Sequence, residues 1–284
     1  MTGSDVKLNG SSRGAGVEKF CPRQVKVRLD ERKQGRIAWV TIDNPRRLNV
    51  MNGALMDALA ETMAELGGDE ALRAVVLSGA GPKAFSAGAD INEMSDIKDA
   101  ARAKAHIMRL HRCCDAIRNL PVPVIARIQG YCFGGGLELA AACDVRIASE
   151  AATFGMQEVK IGIPSVIEAA LLPTLVGWGR TREILYLGET FTAPDALAWR
   201  LIEHLVPATA LDQAVEAWIS KLLTSAPRAV RLQKRLIRRW EDLPLADAIA
   251  AGIDAFAAAY ETDEPRATMG KFLATQKARK SRRT

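Results

Sequence analysis

The sequence holds no apolar run long enough to cross a bilayer. It contains no G-x-x-x-x-G-K-[ST], which excludes a P-loop. Histidine is scarce: His106, His111 and His204 are the only three. The five cysteines are Cys21, Cys113, Cys114, Cys132 and Cys143. None stands at metal-ligand spacing, because Cys113 and Cys114 are adjacent and no C-x-x-C occurs. His106 and His111 are five apart, on different faces of a helix. No metal is expected, and free buried thiols in a reducing compartment account for this usage. The N-terminus lacks the apolar block of a secretory signal, and Asp5 and Glu18 do not suit a transit peptide. A cytoplasmic chain with no membrane partner is the expectation. No fixed-period repeat is evident, and low complexity is confined to the first residues.

What is present is the composition of a folded globular chain. Of 284 residues, 48% are hydrophobic and 25% charged, enough to bury a sizeable core in one large domain or two modest ones. The net charge of +6 is uneven. Lys277, Arg279, Lys280, Arg282 and Arg283 stand near the C-terminus with no acid among them. A second basic cluster is Arg228, Arg231, Lys234, Arg235, Arg238 and Arg239. Such clusters suit a phosphorylated ligand or nucleic acid, or are simply a solvated tail and a charged helix face.

Residues 1–22, rich in Gly and Ser without periodicity, read as a disordered leader. Alternation then predicts strands over Gln24 to Leu29 and Arg36 to Ile42, with Gly35 in the turn. The loop "NPRRLNVMN" follows, and helical spacing runs from Gly53 to Leu66, ending at Gly67-Gly68. "RAVVLSG" is a short buried strand, followed by a long loop to Asp90 and helix to about Leu120. Strands are predicted again at Val124 to Ile128, "DVRIAS" and "TFG". From about Val166 onward the pattern is almost all helical. Strands alternating with helices imply βαβ units and a parallel sheet. The Ala-rich apolar face over Ala248 to Tyr260 calls for a partner, another subunit among the candidates.

Two glycine motifs compete for attention. "VVLSGAGPKA" formally matches a dinucleotide fingerprint, but Pro82 and Lys83 are followed by no helical pattern, so no helix N-terminus meets a pyrophosphate. "QGYCFGGGLELAAACD" instead carries a strand into a helix through three glycines. Uncovered N–H groups and a helix N-terminus attract negative charge. No Lys, Arg, Ser or Thr accompanies them, and Glu138 would repel a phosphate dianion. A charge that develops only during reaction, such as an enolate, suits two N–H donors better. Close packing of helix on strand is the alternative, and these residues alone leave both open. In "KAFSAGADINEM", Gly88 sits between Ala87 and Ala89 and would expose a second N–H, or form an ordinary tight loop. Glu158, in "TFGMQEVKIGIPS", lies in an otherwise apolar run. Two glutamates near one pocket would have their pKa values pushed up and apart, which is the setting for general acid–base chemistry.

Taken in order, "NPRRLNVMN", "AFSAGADINEM", "GYCFGGGLELAAACDVRIAS" and "TFGMQEVKIGIPS" resemble the crotonase superfamily, the enoyl-CoA hydratases and isomerases. The likeness runs over residues 24 to 278. It implies an α/β fold: a ββα spiral core over residues 23–205 and a C-terminal helical trimerisation domain, with the basic tail, over 206–284. It implies a homotrimer or dimer of trimers acting on an acyl-CoA substrate, with coenzyme A part of the substrate and no separate cofactor. By position, the thioester carbonyl lies between the N–H groups of Ala89 and Gly135, and the catalytic pair is Glu138 and Glu158. Both acids together favour reversible hydration of trans-2-enoyl-CoA to 3-hydroxyacyl-CoA, a lyase reaction of fatty acid metabolism. Arg46, Arg47 and Leu48 lie along the coenzyme A, where either arginine is a phosphate partner or a solvated loop residue. Ala87, Asp90, Ile91, Met94 and Phe133 complete the substrate-binding set.

One stretch departs from the family pattern. Where many hydratases carry a "PGAGGTQRL"-like sequence, this chain reads Pro164-Ser165-Val166-Ile167-Glu168-Ala169-Ala170-Leu171. Val, Ile and a further carboxylate replace small glycines. Chain-length preference therefore does not transfer, and Glu168 is an extra polar group or a salt-bridge partner. Isomerase chemistry, or that of another thioester enzyme, is the alternative. An RNA-binding protein on the same scaffold is a third reading, with nucleic acid not expected as a partner.

Overall fold

A computed structural model describes residues 18–19 and 24–281. Most of the expected leader, Cys21, Arg282, Arg283 and the side chains of Lys277, Arg279 and Lys280 lie outside the described residues. Within the leader span, Glu18–Lys19 form a short strand (β1) antiparallel to the next. Two residues are too few for any period to announce them.

The chain then runs β2 (Val25–Arg32), β3 (Gly35–Ile42), α1 (Gly53–Gly67), β4 (Leu72–Gly79), β5 (Ala84–Ser86), α2 (Ile91–Ser95) and α3 (Ala100–Asn119). It continues with β6 (Val124–Ile128), β7 (Tyr131–Phe133), α4 (Gly135–Ala142), β8 (Val145–Ser149), β9 (Thr153–Gly155) and α5 (Leu172–Leu187). The last part is β10 (Thr190–Thr192), α6 (Ala193–Ala198), β11 (His204–Val206), α7 (Leu211–Leu222), α8 (Pro227–Trp240), α9 (Leu245–Ala259) and α10 (Glu264–Ser281).

These strands form a large sheet in the order β1-β2-β3-β4-β6-β8-β11 and a small one in the order β10-β9-β7-β5. β2 and β3 are an antiparallel hairpin closed at Arg32 and Gly35, while β3, β4, β6, β8 and β11 are parallel. Three times, a strand of the large sheet leads directly into a strand of the small one: β4 to β5, β6 to β7, β8 to β9. A helical segment follows each pair. This is the ββα spiral that the resemblance implies, and it explains why β5 and β7 escape sequence reading. Each is three residues long, below the length at which alternation is visible. β10 and β11 are the strands in the part expected to be almost all helical after Val166.

The large sheet is covered on both faces, which is why β4 is a continuous apolar run rather than an alternating one. On one side Leu72, Val75 and Leu77 join Leu55, Leu59 and Met63 of α1 and Cys113 and Ile117 of α3. On the other, Ala74, Val76, Ile125 and Ile147 meet Leu211, Val215 and Ile219 of α7. All eight residues of α4 are buried, as its apolar character all round requires. Cys113, Cys114, Cys132 and Cys143 are free and buried.

The basic helix α8 is largely spent on internal pairing. Arg228 reaches Glu261, Arg231 donates to the carbonyls of Asp69 and Leu72, Lys234 is buried against Asp144, and Arg238 meets Glu241 and Asp242. The cluster is therefore a set of tethers and not one continuous cationic face. Among the described residues no helix is long and apolar enough to cross a membrane.

Candidate active site

The segment that should carry one N–H donor is laced to the loop before α1. Asn49, fully buried and at φ +55°, donates from Nδ2 to the carbonyls of Ala80 and Ala84 at 3.0 and 2.8 Å. Its Oδ1 accepts the Asn44 N–H at 3.0 Å. Beyond it, Ala87 N–H donates to Leu48 O, Met51 N–H to Gly88 O and Asp90 N–H to Met51 O. The N–H of Ala89 falls between these bonds and is taken up by none of the described residues. Leu48 thus serves through its carbonyl, and sequence reasoning had no signal for Asn49.

The second donor comes from the start of α4. Gly134 adopts φ +51°, ψ −125°, a conformation that is essentially glycine's alone. A Cβ there would also lie 2.6 Å from Glu158 Oε1. Gly136 must be bare for a different reason, because its Cβ would meet Ser86 O at 2.4 Å. The Gly88 Cα sits so close to this turn that a Cβ would be 3.0 Å from Phe133 O and 3.4 Å from Gly135 N. The 88–89 and 134–135 peptides therefore lie side by side. Gly135 opens the helix, so its N–H has no partner within α4, and none of the described residues accepts from it.

Both glutamates border the same cavity, of about 170 Å³, as do Ala87, Ala89, Gly135 and Phe133. Ile91 and Met94 of α2 also line it, with Ile107 and Leu110 of α3 and Ile161, Ile163 and Val166 from the segment after Glu158. Glu138 is only 4% exposed. Burial, then the charge of Glu158 and that of Glu168, push its carboxyl up to about 8, against the N–H of Ala169, which donates to Oε1 at 3.2 Å and opposes the rise. Glu158 accepts the Ser165 hydroxyl at 2.9 Å.

Two residues of the expected set are occupied with each other. Arg47 forks onto Asp90, with Nη1 to Oδ2 at 2.6 Å and Nη2 to Oδ1 at 2.9 Å. This pairing, more than any other cause, holds the Asp90 carboxyl below its usual range. Asp90 also caps α2 through the Asn92 N–H. Neither side chain borders the cavity; they tie α2 to the 44–52 loop. Arg46 is exposed beside them. The cavity residues missed from sequence include Ile107 and Leu110, which belong to ordinary helical spacing; Ser165, the partner of Glu158, sits in a short turn with no pattern to mark it. Among the described residues no cluster of three or more His, Cys, Asp or Glu could hold a metal ion.

A buried carboxyl raised from 4.5 to about 8 makes stability fall as pH rises through that window, because the native state then binds more protons than the unfolded one. Glu138→Gln removes the penalty. The stability of the variant, followed by its melting temperature, should exceed that of the parent by an amount that grows between pH 5 and 8 and levels off above, up to about 5 kcal/mol as a ceiling. Thermal melts across pH check this; a difference that is the same at every pH contradicts it.

Known proteins similar to this chain point to one family. The family model described as enoyl-CoA hydratase/isomerase matches residues 32–281. The chain is 33% identical over 246 residues to the short-chain-enoyl-CoA hydratase of Clostridium acetobutylicum, covering 86% of this chain and 94% of that one. It is 30% identical over 249 residues to the crotonyl-CoA hydratase of Syntrophomonas wolfei, covering 87% and 95%. Among solved structures, an enoyl-CoA hydratase from Bacillus anthracis superposes with a TM-score of 0.83 at 28% identity, over 89% of this chain and 97% of that one. The chain belongs to the enoyl-CoA hydratase/isomerase family.

Proposed function

We propose that this chain hydrates short trans-2-enoyl-CoA thioesters reversibly to 3-hydroxyacyl-CoA. The observation that carries the reading is the pairing of two carboxyls, Glu138 and Glu158, in one cavity with two unspent peptide N–H groups. The thioester carbonyl rests on the N–H groups of Ala89 and Gly135. Water adds to C3 as Glu138 takes its proton, and Glu158 delivers a proton to C2. Charge that collects on the thioester oxygen is met by the two N–H groups and by the N-terminus of α4. The pair starts with one proton and ends with one, so each turnover closes with its return from Glu138 to Glu158. Glu138, raised to about 8 by burial, accepts the proton of water strongly once ionised, so hydration should speed up as pH rises through that value.

The apolar cavity of about 170 Å³ is small beside the roughly 300–1,000 Å³ of sites for drug-sized ligands, which favours a short acyl group. The names of the relatives from Clostridium and Syntrophomonas point the same way. Coenzyme A enters as part of the substrate, and Arg46 is the better phosphate partner of the two loop arginines because Arg47 is held by Asp90. A homotrimer or a dimer of trimers accounts for the stripe Leu245, Ile249, Ile253 and Phe256 on α9, continued by Tyr260 at its C-cap, where Ile253 and Phe256 are each 68% exposed. A cytoplasmic setting fits the buried free thiols.

Crotonyl-CoA should lose its conjugated-thioester absorbance on addition of the protein. Glu138→Gln and Glu158→Gln should each lower kcat by about 10²-fold or more. Isomerisation of a 3-enoyl-CoA without hydration of any 2-enoyl-CoA would refute the assignment, and a fully active Glu138→Gln would point to Glu158 acting alone. In sedimentation velocity, the double variant Ile253→Asp/Phe256→Asp should run as a monomer; an unchanged oligomer would remove α9 from the interface.

A further inference from the structure

The departure at Val166-Ile167-Glu168 has a structural counterpart next to Glu138. Ile167 stands at φ +40°, a genuine outlier for a β-branched residue. It opens a 3-10 turn, Ile167–Leu171, that packs on α3 and α4. Directly after it, the Glu168 side chain is only 8% exposed. The imidazole Nδ1 of His111 lies 3.0 Å from Glu168 Oε1. The thiol of Cys114, a weak donor, faces the same carboxyl. The other oxygen, Oε2, is buried without a hydrogen bond among the described residues. The next peptide N–H, that of Ala169, is the one that donates to Glu138 Oε1 at 3.2 Å.

One strained turn therefore brings two opposed influences to the same group. The Ala169 N–H favours an ionised Glu138, while the Glu168 charge disfavours it. His111 lies on the stripe Ile107-Leu110-His111-Cys114 of α3, whose first two members line the cavity. That stripe explains how a half-exposed histidine reaches a carboxyl behind the site. We infer that Glu168, anchored by His111, is a positioning residue for Glu138. It fixes the turn that carries the Ala169 N–H, and its charge adds to the larger effects of burial and Glu158 on that carboxyl.

Titratable groups facing Glu168 are His111, Cys113 and Cys114 from α3 and Glu138 from α4. Glu158 acts on Glu138 from its own 3-10 turn. The charged residues of α5, Arg180, Arg182 and Glu183, lie beyond Gly177, with Arg180 paired to Glu183. No cation of that helix is paired with Glu168 among the described residues.

The inference rests on the reading of Glu138 as the base, and the experiment separates the two. The pH profile of kcat/KM with crotonyl-CoA is measured for the parent, Glu168→Gln and Glu138→Gln. Glu168→Gln should move the limb set by Glu138 to lower pH by at least about half a pH unit. Relative to its own plateau, the variant is then about threefold more active below the limb. Glu168→Asp, which keeps the charge, should leave the limb near its parental pH even if kcat falls. Should the amide variant fold poorly, Glu168→Met is the second uncharged side chain; the limb should move the same way but less far, because the anchor on His111 that holds the Ala169 N–H is lost with the charge. A limb that does not move in either uncharged variant, or moves as far in Glu168→Asp, overturns the inference. A limb that survives in Glu138→Gln overturns the reading of Glu138 itself.

Discussion

The constraint on which the site depends is the close approach of two backbones. The peptides at 88–89 and 134–135 can lie side by side only because no Cβ stands between them, as the distances at Gly88 and Gly134 make plain. Everything around them serves that approach. The buried Asn49 side chain and the bonds from Leu48 and Met51 fix one strand of chain. The 2.9 Å bond from Gly134 N–H to Gly155 O fixes the other. What is left over is a pair of N–H groups that the fold itself does not use. A buried donor without a partner costs free energy comparable to a lost hydrogen bond, so the geometry is meaningful where a ligand oxygen repays it.

The same economy applies to the carboxyls. Burying Glu138 in an all-apolar helix destabilises its charge, and Glu158 and Glu168 add to the effect. A single N–H, from Ala169, opposes it. On the proposed reading, the result is a base raised well above the ordinary carboxylate range by burial and neighbouring charge, with one hydrogen bond opposing the rise. The strained Ile167 is of a piece with this, since sparsely populated backbone conformations persist where the surroundings over-determine them.

Much of this was legible in the sequence, for identifiable reasons. β2, β3, β4 and β6 announce themselves through alternation or a continuous apolar run, and α1 through the spacing of Leu55, Leu59 and Met63. The glycine run and its following glutamate raise the right question on their own, but packing and anion binding remain equal answers until distances decide. The residues matched through family resemblance, Ala89, Gly135, Glu138 and Glu158, come together on one cavity. Arg47 and Asp90 do not join them, because two residues 43 apart in sequence satisfy each other first. The three-residue strands β5, β7, β10 and β11 stayed hidden because pairing, not periodicity, defines them. His111 was set aside for its spacing from His106, and its actual partner lies 57 residues away.

The most direct measurement of the central claim is the infrared difference spectrum of crotonyl-CoA labelled with ¹³C at the thioester carbonyl, bound to the Glu158→Gln variant. Two N–H donors on the oxygen should lower the carbonyl stretch below its value in water, and Gly135→Pro, which deletes one donor, should return much of the difference. A carbonyl stretch in the bound state at or above the aqueous value would contradict the account.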